Sequence, residues 1–494
     1  MNKKLLFFLL IPSLGIGQTQ IGKSIYGESV NEGSGASVAV SANGKIMAIG
    51  APGNVNANGA SGHVRIYENK AGTWKQIGQD IDGVASGDSL GQYNSIAISA
   101  DGSIVALSSP GNSDNGIFAG HVRLFKNVSG IWTQLGNTIA GQKTEEFFGQ
   151  CVTLSADGNI VAVSGGNFVH ELGFVRVYEN VSGVWTQIGT DIEGANIGDY
   201  FGFSISISDN GKIIAIGATQ YGPYFGQVRI FENVSGTWIQ TGNGIDGENP
   251  NDASGYSVSL SSNGKTVAIG SQYNDDNGNE SGHVRVYTNI AGIWTQVGDD
   301  IDGEAAEDWS GHSVSLSADG TIVAIGAPSN DKKVNGGGSI WPNAGQVRIY
   351  QNVAGTWLQR GVDIEGDWTY DYFGFTVSLS KDGTTVAVGA PGNNMDGTQQ
   401  AIGQVKVFSL SGILSTGAFV LDHFSIYPNP ASDFVNIELD NTVTLEKVFV
   451  YDTSGKLIKQ TSDKLIDLKG IAKGVYHVHI ITNKGKATRQ VVIK

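Results

Sequence analysis

The chain has 494 residues and combines 71 glycines with only 10 prolines and 16% charged residues, which suits many short strands joined by tight turns and excludes a mainly helical protein. Its formal charge of −15 excludes nucleic acid and anionic membranes as partners, because both repel an acidic surface. The single cysteine, Cys151, cannot form an internal disulfide, so packing must stabilise the fold. We therefore predict an all-β protein.

The first predicted element is a signal peptide over residues 1–17. Two lysines precede an apolar run over residues 5–11, and small residues follow it, so we expect cleavage between Gly17 and Gln18. The apolar run is too short to cross a bilayer, and no later segment reaches about 18 apolar residues. The sequence predicts an exported chain without a transmembrane anchor.

One sequence unit then recurs seven times between residues 18 and 412, each copy marked by an Asn-Gly or Asp-Gly pair. The glycines of these pairs are Gly44, Gly102, Gly158, Gly211, Gly264, Gly320 and Gly383. Their spacing of 53 to 63 residues matches a four-stranded propeller blade. Each pair predicts a two-residue hairpin turn of type I′, which needs positive φ at both central positions.

The strands of one unit can be read from alternating apolar residues. In the fifth unit they are predicted over residues 256–261, 265–270, 282–287 and 294–298. A tryptophan opens the fourth strand in six units, and the seventh unit lacks that strand. Residues 19–27 match residues 186–194 in register, so the N-terminal segment is predicted to supply it. The result is a seven-bladed β-propeller closed by the N-terminal strand, which leaves no open sheet edge.

The order of motifs within a unit resembles a known family. Phe373-Gly374 precedes Gly389-Ala-Pro391, and Phe201-Gly202 precedes Gly217-Ala218. This pattern resembles the FG-GAP repeats that form the propellers of integrin α-subunits, over about residues 18–412. The resemblance implies a fold and leaves the function open. Integrin-type blades carry a calcium loop in the first hairpin, where this chain has only a short turn.

The repeat stops before the C-terminal segment. Residues 413–422 are predicted to be a linker, and residues 423–494 a small β-sandwich of short alternating strands. The conspicuous residues in this sandwich are Pro428, Asn429, Pro430, Gly474 and Tyr476. Their spacing resembles the C-terminal type A sorting domain of the Bacteroidetes type IX secretion system. The resemblance implies the secretion machinery as a partner and an extracellular location, with release or attachment to the cell surface.

A weak candidate calcium site lies in the fifth unit, where Asn274, Asp275, Asp276 and Glu280 stand close together in the sequence. Calcium affinity depends on carboxylate ligands, but such clusters are more often solvated turns. We predict no metal and no other cofactor.

Repetition also explains a set of histidines and arginines. His63, His121 and His283 occupy one repeat position, and we expect a copied structural role for them rather than a metal site. Arginines stand two residues further on, and we expect them to pair with linker acids such as Asp80, Asp191 and Asp300.

Four aromatic residues, Trp309, Trp341, Trp368 and Tyr372, are candidates for a ligand-binding surface. Partial burial between blades is the alternative. No catalytic group emerges, since acids such as Glu146 and Asp308 lie in linkers, where solvated loops are expected.

The sequence favours a non-catalytic binding or adhesion protein for a glycan or protein. A polysaccharide-active enzyme and a purely structural repeat protein remain the alternatives. Two non-repeating carboxylates close together in the central depression would distinguish the enzyme.

Overall fold

A computed structural model describes residues 18–167, 170–334, 339–394, 401–412, 424–439, 444–452, 457–482 and 485–494. The predicted signal peptide with Gly17 and the predicted linker lie outside the described residues. The chain divides into two compact units, Met1–Leu410 and Ser411–Lys494.

The first unit consists of seven antiparallel sheets of five strands each. The first strands are Ser37–Val40, Ile96–Ile98, Val152–Leu154, Phe201–Ile207, Ser257–Leu260, Ser313–Leu316 and Thr376–Leu379. The second strands are Ile46–Ala51, Ile104–Ser109, Ile160–Gly165, Ile213–Ala218, Thr266–Ser271, Ile322–Ala327 and Thr385–Ala390. The third strands are His63–Lys70, His121–Val128, Phe174–Val181, Gln227–Val234, His283–Ile290, Gln346–Val353 and Gln404–Ser409.

The fourth and fifth strands are short and follow one another along the free edge of the third strand. The fourth strands are Thr73–Gln76, Ile131–Gln134, Val184–Gln187, Thr237–Gln240, Ile293–Gln296, Thr356–Gln359 and, for the seventh sheet, Thr19–Gln20. The fifth strands are Ile81–Asp82, Ile139–Ala140, Ile192–Glu193, Ile245–Asp246, Ile301–Asp302, Ile364–Glu365 and, for the seventh sheet, Ile25–Tyr26. We expected Asp80, Asp191 and Asp300 to lie in linkers, and the residues that directly follow each of them form this fifth strand.

Few elements depart from this repeat. Two small hairpins pair Val55–Asn56 with Gly59–Ala60 and Lys332–Val334 with Ser339–Trp341. Tyr221–Tyr224 is the one helix in the part of the chain that the structure describes, and the all-β prediction is confirmed. No helix within that part is long and apolar enough to span a membrane.

The turn between the first and second strands differs from the predicted one. In the fifth sheet the Gly264 amide donates to the Ser261 carbonyl at 2.9 Å, and of the Asn-Gly pair only Gly264 has positive φ, at +69°. The Asn263 Oδ1 accepts from Ser261 Oγ at 2.9 Å and from the Lys265 amide at 2.8 Å. These bonds fix the asparagine, so the prediction of two positive φ angles is wrong and a β-turn followed by a left-handed glycine forms instead.

Neighbouring sheets share the apolar core. One buried cluster joins Val284 and Val286 of the fifth sheet to Val323 and Ile325 of the sixth. Each first strand packs beside the first strand of the next sheet, and the first strand of the seventh sheet packs beside that of the first. The sheets therefore stabilise one another through burial of apolar surface rather than standing alone.

The repeated tryptophans connect neighbouring sheets. Trp132 is buried, and its Nε1 donates to the carbonyl of Ile77, which follows the fourth strand of the preceding sheet, at 2.8 Å. The same bond recurs from the tryptophan of every later sheet that has one. In the first sheet, Trp74 donates to the carbonyl of Ile21 at 3.0 Å, and Ile21 belongs to the N-terminal segment.

The N-terminal segment pairs with the seventh sheet. Thr19 lies opposite Ser409, and Ile25 lies opposite Val405, both antiparallel. Residues from the two ends of the first unit therefore share one sheet, in the positions that the fourth and fifth strands occupy elsewhere.

The second unit is a pair of antiparallel sheets around one core. The three-stranded sheet contains Phe424–Tyr427, Phe434–Leu439 and Leu465–Asp467. The four-stranded sheet contains Leu457–Thr461, Leu445–Asp452, Gly474–Thr482 and Gly485–Ile493. Both sheets contribute to a single buried cluster, to which Val435 and Ile466 come from one side and Val450 and Val478 from the other.

Candidate binding surface

A buried carboxylate stands just before the first strand of every sheet. The seven residues are Glu32, Asp88, Glu146, Asp199, Asp252, Asp308 and Asp371. Each lies three positions before a glycine, a regularity that could have been read from the sequence. Glu146 and Asp308 are therefore not in solvated loops, and that expectation was wrong.

These carboxylates hold the linkers between sheets in shape. Asp371 accepts hydrogen bonds from the backbone amides of Asp367 at 2.8 Å and Trp368 at 2.9 Å, and from Asn393 Nδ2 at 3.0 Å. Burial raises the pKa of Asp371, and these bonds oppose the rise because they favour the charged form. The buried Asp371 carboxylate therefore fixes the conformation of the linker that contains Asp367 and Trp368.

The residue after each buried carboxylate has left-handed backbone geometry. The seven residues and their φ angles are Gly33 (63°), Ser89 (53°), Phe147 (47°), Tyr200 (58°), Ala253 (52°), Trp309 (57°) and Tyr372 (53°). A side chain other than glycine's in this region costs about 1–3 kcal/mol, which the surrounding structure must offset. Four of the seven are nevertheless aromatic, so the linkers present large apolar side chains where glycine would be less strained.

Two of these aromatic residues line one cavity. Trp309 and Tyr372, both half-buried, border a cavity of about 210 Å³ together with Glu280, Glu307 and Asn343. The Trp309 Nε1 donates to Glu280 Oε2 at 3.0 Å. The cavity therefore combines two aromatic rings with carboxylate and amide groups.

The other two predicted aromatic residues form a stacked pair. The rings of Trp341 and Trp368 lie 5.3 Å apart at 23°, and Trp368 is 42% exposed. The backbone amide of Tyr372 donates to the carbonyl of Asn343 at 3.1 Å, so the loop after Trp341 is attached to the linker that carries Trp368. The loop of the sixth sheet that carries Trp341 and the linker that carries Trp368 thus meet.

A second aromatic cavity was not foreseen. It measures about 400 Å³, and its lining includes Tyr200, Phe203, Tyr224, Tyr256 and Tyr273. Burial raises the pKa of Tyr256 to about 12, so its phenol stays protonated. The sequence carried a signal, because Phe203 and Tyr256 both follow the glycine that recurs in every copy of the repeat.

The two cavities are neighbours. Tyr273 lines the second cavity, and its ring contacts that of Trp309 edge-on, with centroids 6.0 Å apart. We call the surface formed by Trp309, Tyr372, Trp341, Trp368 and this tyrosine-rich cavity the aromatic rim.

The middle of the first unit is narrow. A cavity of about 110 Å³ is lined by residues of all seven first strands or the residues just before them, including Cys151, and its described lining contains no carboxylate. Beside it the rings of Tyr93, His312 and Phe375 pack together, and Tyr93 Oη donates to the His312 carbonyl at 2.8 Å. Burial lowers the pKa of His312 to about 3, so this imidazole is neutral.

The four predicted calcium ligands shape their own loop. Asn274 Nδ2 donates to Asp276 Oδ2 at 3.1 Å, and Asp275 Oδ1 accepts from the Glu280 amide at 2.7 Å. Glu280 meanwhile bonds to Trp309. The side chains therefore do not converge on one point, and Asp276 belongs to a different group of carboxylates.

The repeated arginines pair only partly as predicted. Arg176 Nε lies 2.9 Å from Asp191 Oδ2. The other two named acids face histidines instead, since Asp80 and Asp300 each lie 3.6 Å from an imidazole nitrogen, of His63 and His283 respectively.

In the second unit, the predicted sorting residues are held by the last strand and the preceding loop. Pro428, Asn429 and Pro430 follow the strand Phe424–Tyr427, and Gly474 begins the strand Gly474–Thr482. Asn429 Nδ2 donates to the Gln490 carbonyl at 2.7 Å, and its Oδ1 accepts from the Val492 amide at 2.9 Å. Tyr476 is buried and donates to the Ala472 carbonyl at 2.8 Å. These residues therefore stabilise the sandwich.

Family comparisons agree with the motifs. A model of the FG-GAP repeat matches residues 246–287 and 365–408, and a model of the secretion system C-terminal sorting domain matches residues 425–494. FG-GAP repeats form β-propellers, so the first unit is of the β-propeller class. More particularly, the chain joins FG-GAP repeats to a type IX sorting domain, and both predicted resemblances are confirmed. The sorting domain indicates a secreted protein, released or attached to the cell surface.

A search of curated proteins finds no match. Among solved structures, a putative 6-phosphogluconolactonase from Bacteroides uniformis is 13% identical with a TM-score of 0.47, over 86% of this chain and 96% of that one. Hydrazine synthase from Kuenenia stuttgartiensis is 11% identical with a TM-score of 0.46, over 78% of this chain and 98% of that one. Likeness at this level carries no argument about function.

Proposed function

We propose that this chain is a secreted or cell-surface binding protein whose aromatic rim takes a carbohydrate, without catalysing a reaction on it. The observation that carries the proposal is the cavity bordered by Trp309 and Tyr372 beside the stacked pair of Trp341 and Trp368. Partly exposed aromatic rings grouped on one surface favour a binding role, because large apolar groups are otherwise buried.

The chemistry of the rim suits a sugar. A sugar ring offers an apolar face of C–H groups, which packs on an aromatic ring, and an edge of hydroxyls, which needs acceptors and donors. Glu280, Glu307 and Asn343 border the same cavity as the aromatic rings and supply such groups. A protein partner would also fit exposed aromatic residues, and it is the other outcome of the test below.

The scaffold proposed for the rim is a seven-bladed propeller closed through its N-terminal strands. This proposal is supported by the pairing of Thr19 with Ser409 and by the hydrogen bond from Trp74 to Ile21. Contacts of each first strand with the next around all seven sheets support it as well. Closure would hold the rim rigid, which lowers the entropy lost on binding.

The test is binding of the purified secreted protein to a panel of soluble polysaccharides and oligosaccharides, measured by calorimetry. We expect one class of glycan to bind, and Trp309→Ala and Tyr372→Ala each to weaken it at least tenfold. Phe147→Ala is the matched control, because Phe147 holds the same repeat position in another sheet and its ring stacks on Phe118 instead.

Two results would contradict the proposal. Unchanged glycan affinity in both rim variants would remove the aromatic rim from binding, and capture of a protein but no glycan would assign the rim to a protein partner. Release of new reducing ends from a bound polysaccharide would favour the enzyme alternative. If neither a glycan nor a protein binds, the result favours the remaining alternative, a purely structural repeat protein.

A further inference from the structure

A group of acids surrounds one of the repeated histidines in the fifth sheet. Glu248 follows the fourth sheet, Asp276 lies before the third strand of the fifth sheet, His283 begins that strand, and Asp300 precedes the fifth strand. One possible ligand atom of each residue lies within 4.8 Å of the others. Four separate segments thus meet at one point.

The histidine in this group is buried without a hydrogen bond from any residue that the structure describes. The side chain of His283 is 0% exposed, and neither ring nitrogen is bonded to a described residue. Burying a polar nitrogen without a hydrogen-bond partner is unfavourable, so such a group calls for an explanation. Its Nδ1 points toward the carboxylates, at 3.6 Å from Asp300 Oδ2 and 4.0 Å from Asp276 Oδ2.

The separations of His283 from the two aspartates suit ligands that share a metal ion better than groups that hydrogen-bond to each other. Nitrogen and oxygen ligands lie about 2.0–2.2 Å from a zinc ion, so two ligands of a tetrahedral site are about 3.3–3.6 Å apart. The 3.6 Å between His283 and Asp300 is of that size, and the 4.0 Å to Asp276 requires only a small contraction.

The charge around the histidine is also unbalanced. Three carboxylates meet there, whereas the neighbouring cation is Arg285, whose Nη1 lies 3.3 Å from Glu248 Oε1. A second nitrogen of Arg285 donates to the backbone carbonyl of Asp246 at 2.8 Å, which holds the guanidinium to one side. A divalent cation would offset the remaining negative charge.

We propose that Glu248, Asp276, His283 and Asp300 form a binding site for one divalent transition-metal ion of the Zn²⁺ type. A mixed set of one imidazole nitrogen and three carboxylate oxygens suits such an ion. Calcium prefers oxygen ligands throughout and would gain nothing from the histidine. The proposal gives His283 a role beyond the copied structural one that we expected for the repeated histidines.

The other copies of this histidine provide internal comparisons. In the first sheet, Glu28, His63 and Asp80 form a group of three among the described residues, and Arg65 lies 3.1 Å from Glu28 much as Arg285 lies 3.3 Å from Glu248. In the second sheet, His121 belongs to no such group among the described residues. The fifth sheet therefore carries the most complete ligand set, and His121 serves as a control at the same repeat position.

The site does not rest on the proposed carbohydrate binding, although it adjoins the rim. The loop that contributes Asp276 also contributes Glu280, which accepts the hydrogen bond from Trp309. A bound metal ion would therefore restrict the conformation of this loop.

The experiment uses the untagged secreted protein, freed of metal with a chelator and titrated with Zn²⁺ or with Ca²⁺ in parallel calorimetric runs. We expect tight Zn²⁺ binding that His283→Gln and Asp300→Asn each weaken at least tenfold, while His121→Gln leaves it unchanged. Zn²⁺ should also raise the melting temperature of the wild type but not of His283→Gln, because an ion that binds only the folded state stabilises it.

Several outcomes would overturn the site. Equal Zn²⁺ affinity in wild type and His283→Gln would do so, and so would loss of binding only on His63→Gln, which would move the ion to the first sheet. Asp276→Asn provides a second variant at a side chain 47% exposed, in case His283→Gln does not fold. Unchanged affinity in a folded Asp276→Asn protein, together with Ca²⁺ binding as tight as Zn²⁺, would also count against the proposal.

Discussion

The buried carboxylate before each first strand fixes its own linker, and Asp371 allows a test of this in a linker that carries part of the aromatic rim. Asp371 accepts two backbone amides and one asparagine side chain. Asp371→Ala should lower the free energy of unfolding by about 2–3 kcal/mol, because buried donors lose a charged acceptor. Urea denaturation measures the change, and Glu307→Ala in an equivalent linker, where the side chain is exposed, should change it little. Equal midpoints for both variants would contradict this role.

The equivalent residue of the first sheet predicts a pH dependence. Burial alone would raise the pKa of Glu32, but contacts with His63 and hydrogen bonds from Glu28 and Asn54 outweigh it and lower the pKa to about 2. The folded pKa is thus below the unfolded value of 4.5, so its contribution is present above pH 4.5 and is lost as the pH falls toward 2.

The contribution of Glu32 amounts to roughly 3 kcal/mol by the conversion of pKa shifts into free energy. We expect the stability of Glu32→Gln to fall less steeply than that of wild type between pH 4.5 and 2. Chemical denaturation at a series of pH values measures both slopes. Parallel curves would show that Glu32 does not keep its charge through hydrogen bonds in the folded protein.

The sequence could nominate single aromatic residues but not the cavities they form. Trp341 lies in a loop that departs from the repeat and Trp368 lies in a linker, and the two rings do meet. The cavity between Tyr200 and Tyr273 depends on contacts between neighbouring sheets, which one unit of sequence does not reveal. The group around His283 was missed for the same reason, since its acids come from separate loops.

At the scale of the element, the repeated hairpin turn links one sheet to the next. A methyl group on Gly264 would lie 2.8 Å from the Ile213 side chain of the preceding sheet, whereas one on Gly292 would meet nothing within 4 Å. Both glycines have positive φ, so both alanine variants carry a similar backbone cost of about 1–3 kcal/mol.

Gly264→Ala should therefore destabilise the protein by about 1–3 kcal/mol more than Gly292→Ala, since overpacking adds to the backbone cost. Thermal melting of the two variants against wild type measures the difference. Equal melting temperatures would mean that the turn does not pack on the neighbouring sheet.

The strands themselves were largely predictable, because alternation of apolar residues and Asn-Gly or Asp-Gly pairs follows local rules. The type of the turn between the first and second strands was not predictable in this way. The serine two positions before Asn263 bonds to its side chain and keeps that residue out of the left-handed region, and the predicted type I′ turn depended on the pair alone. The hydrogen bond between the Ser261 and Asn263 side chains thus explains why a β-turn followed by a left-handed glycine forms instead of the type I′ turn.

At the scale of the whole molecule, removal of the N-terminal strands tests whether they close the proposed propeller. A secreted protein lacking residues 18–26 would leave the third strand of the seventh sheet, Gln404–Ser409, with one edge unpaired. We expect a lower melting temperature and self-association in size-exclusion chromatography, because open strand edges pair with other chains.

Addition of a synthetic peptide with the sequence of residues 18–27 should restore the monomer and part of the lost melting temperature. A truncated protein that melts as wild type and stays monomeric would argue against closure by these strands. A peptide of the same composition in scrambled order is the control for nonspecific stabilisation.

The pairing of the two chain ends also has a kinetic consequence. Six sheets form from contiguous stretches, whereas the seventh brings together residues about 390 positions apart. Loop closure over that distance carries the largest entropic cost of any pairing in the unit, and long-range contacts form slowly. The seventh sheet should accordingly be the last to acquire protection from hydrogen exchange during refolding and the first to lose it during local opening.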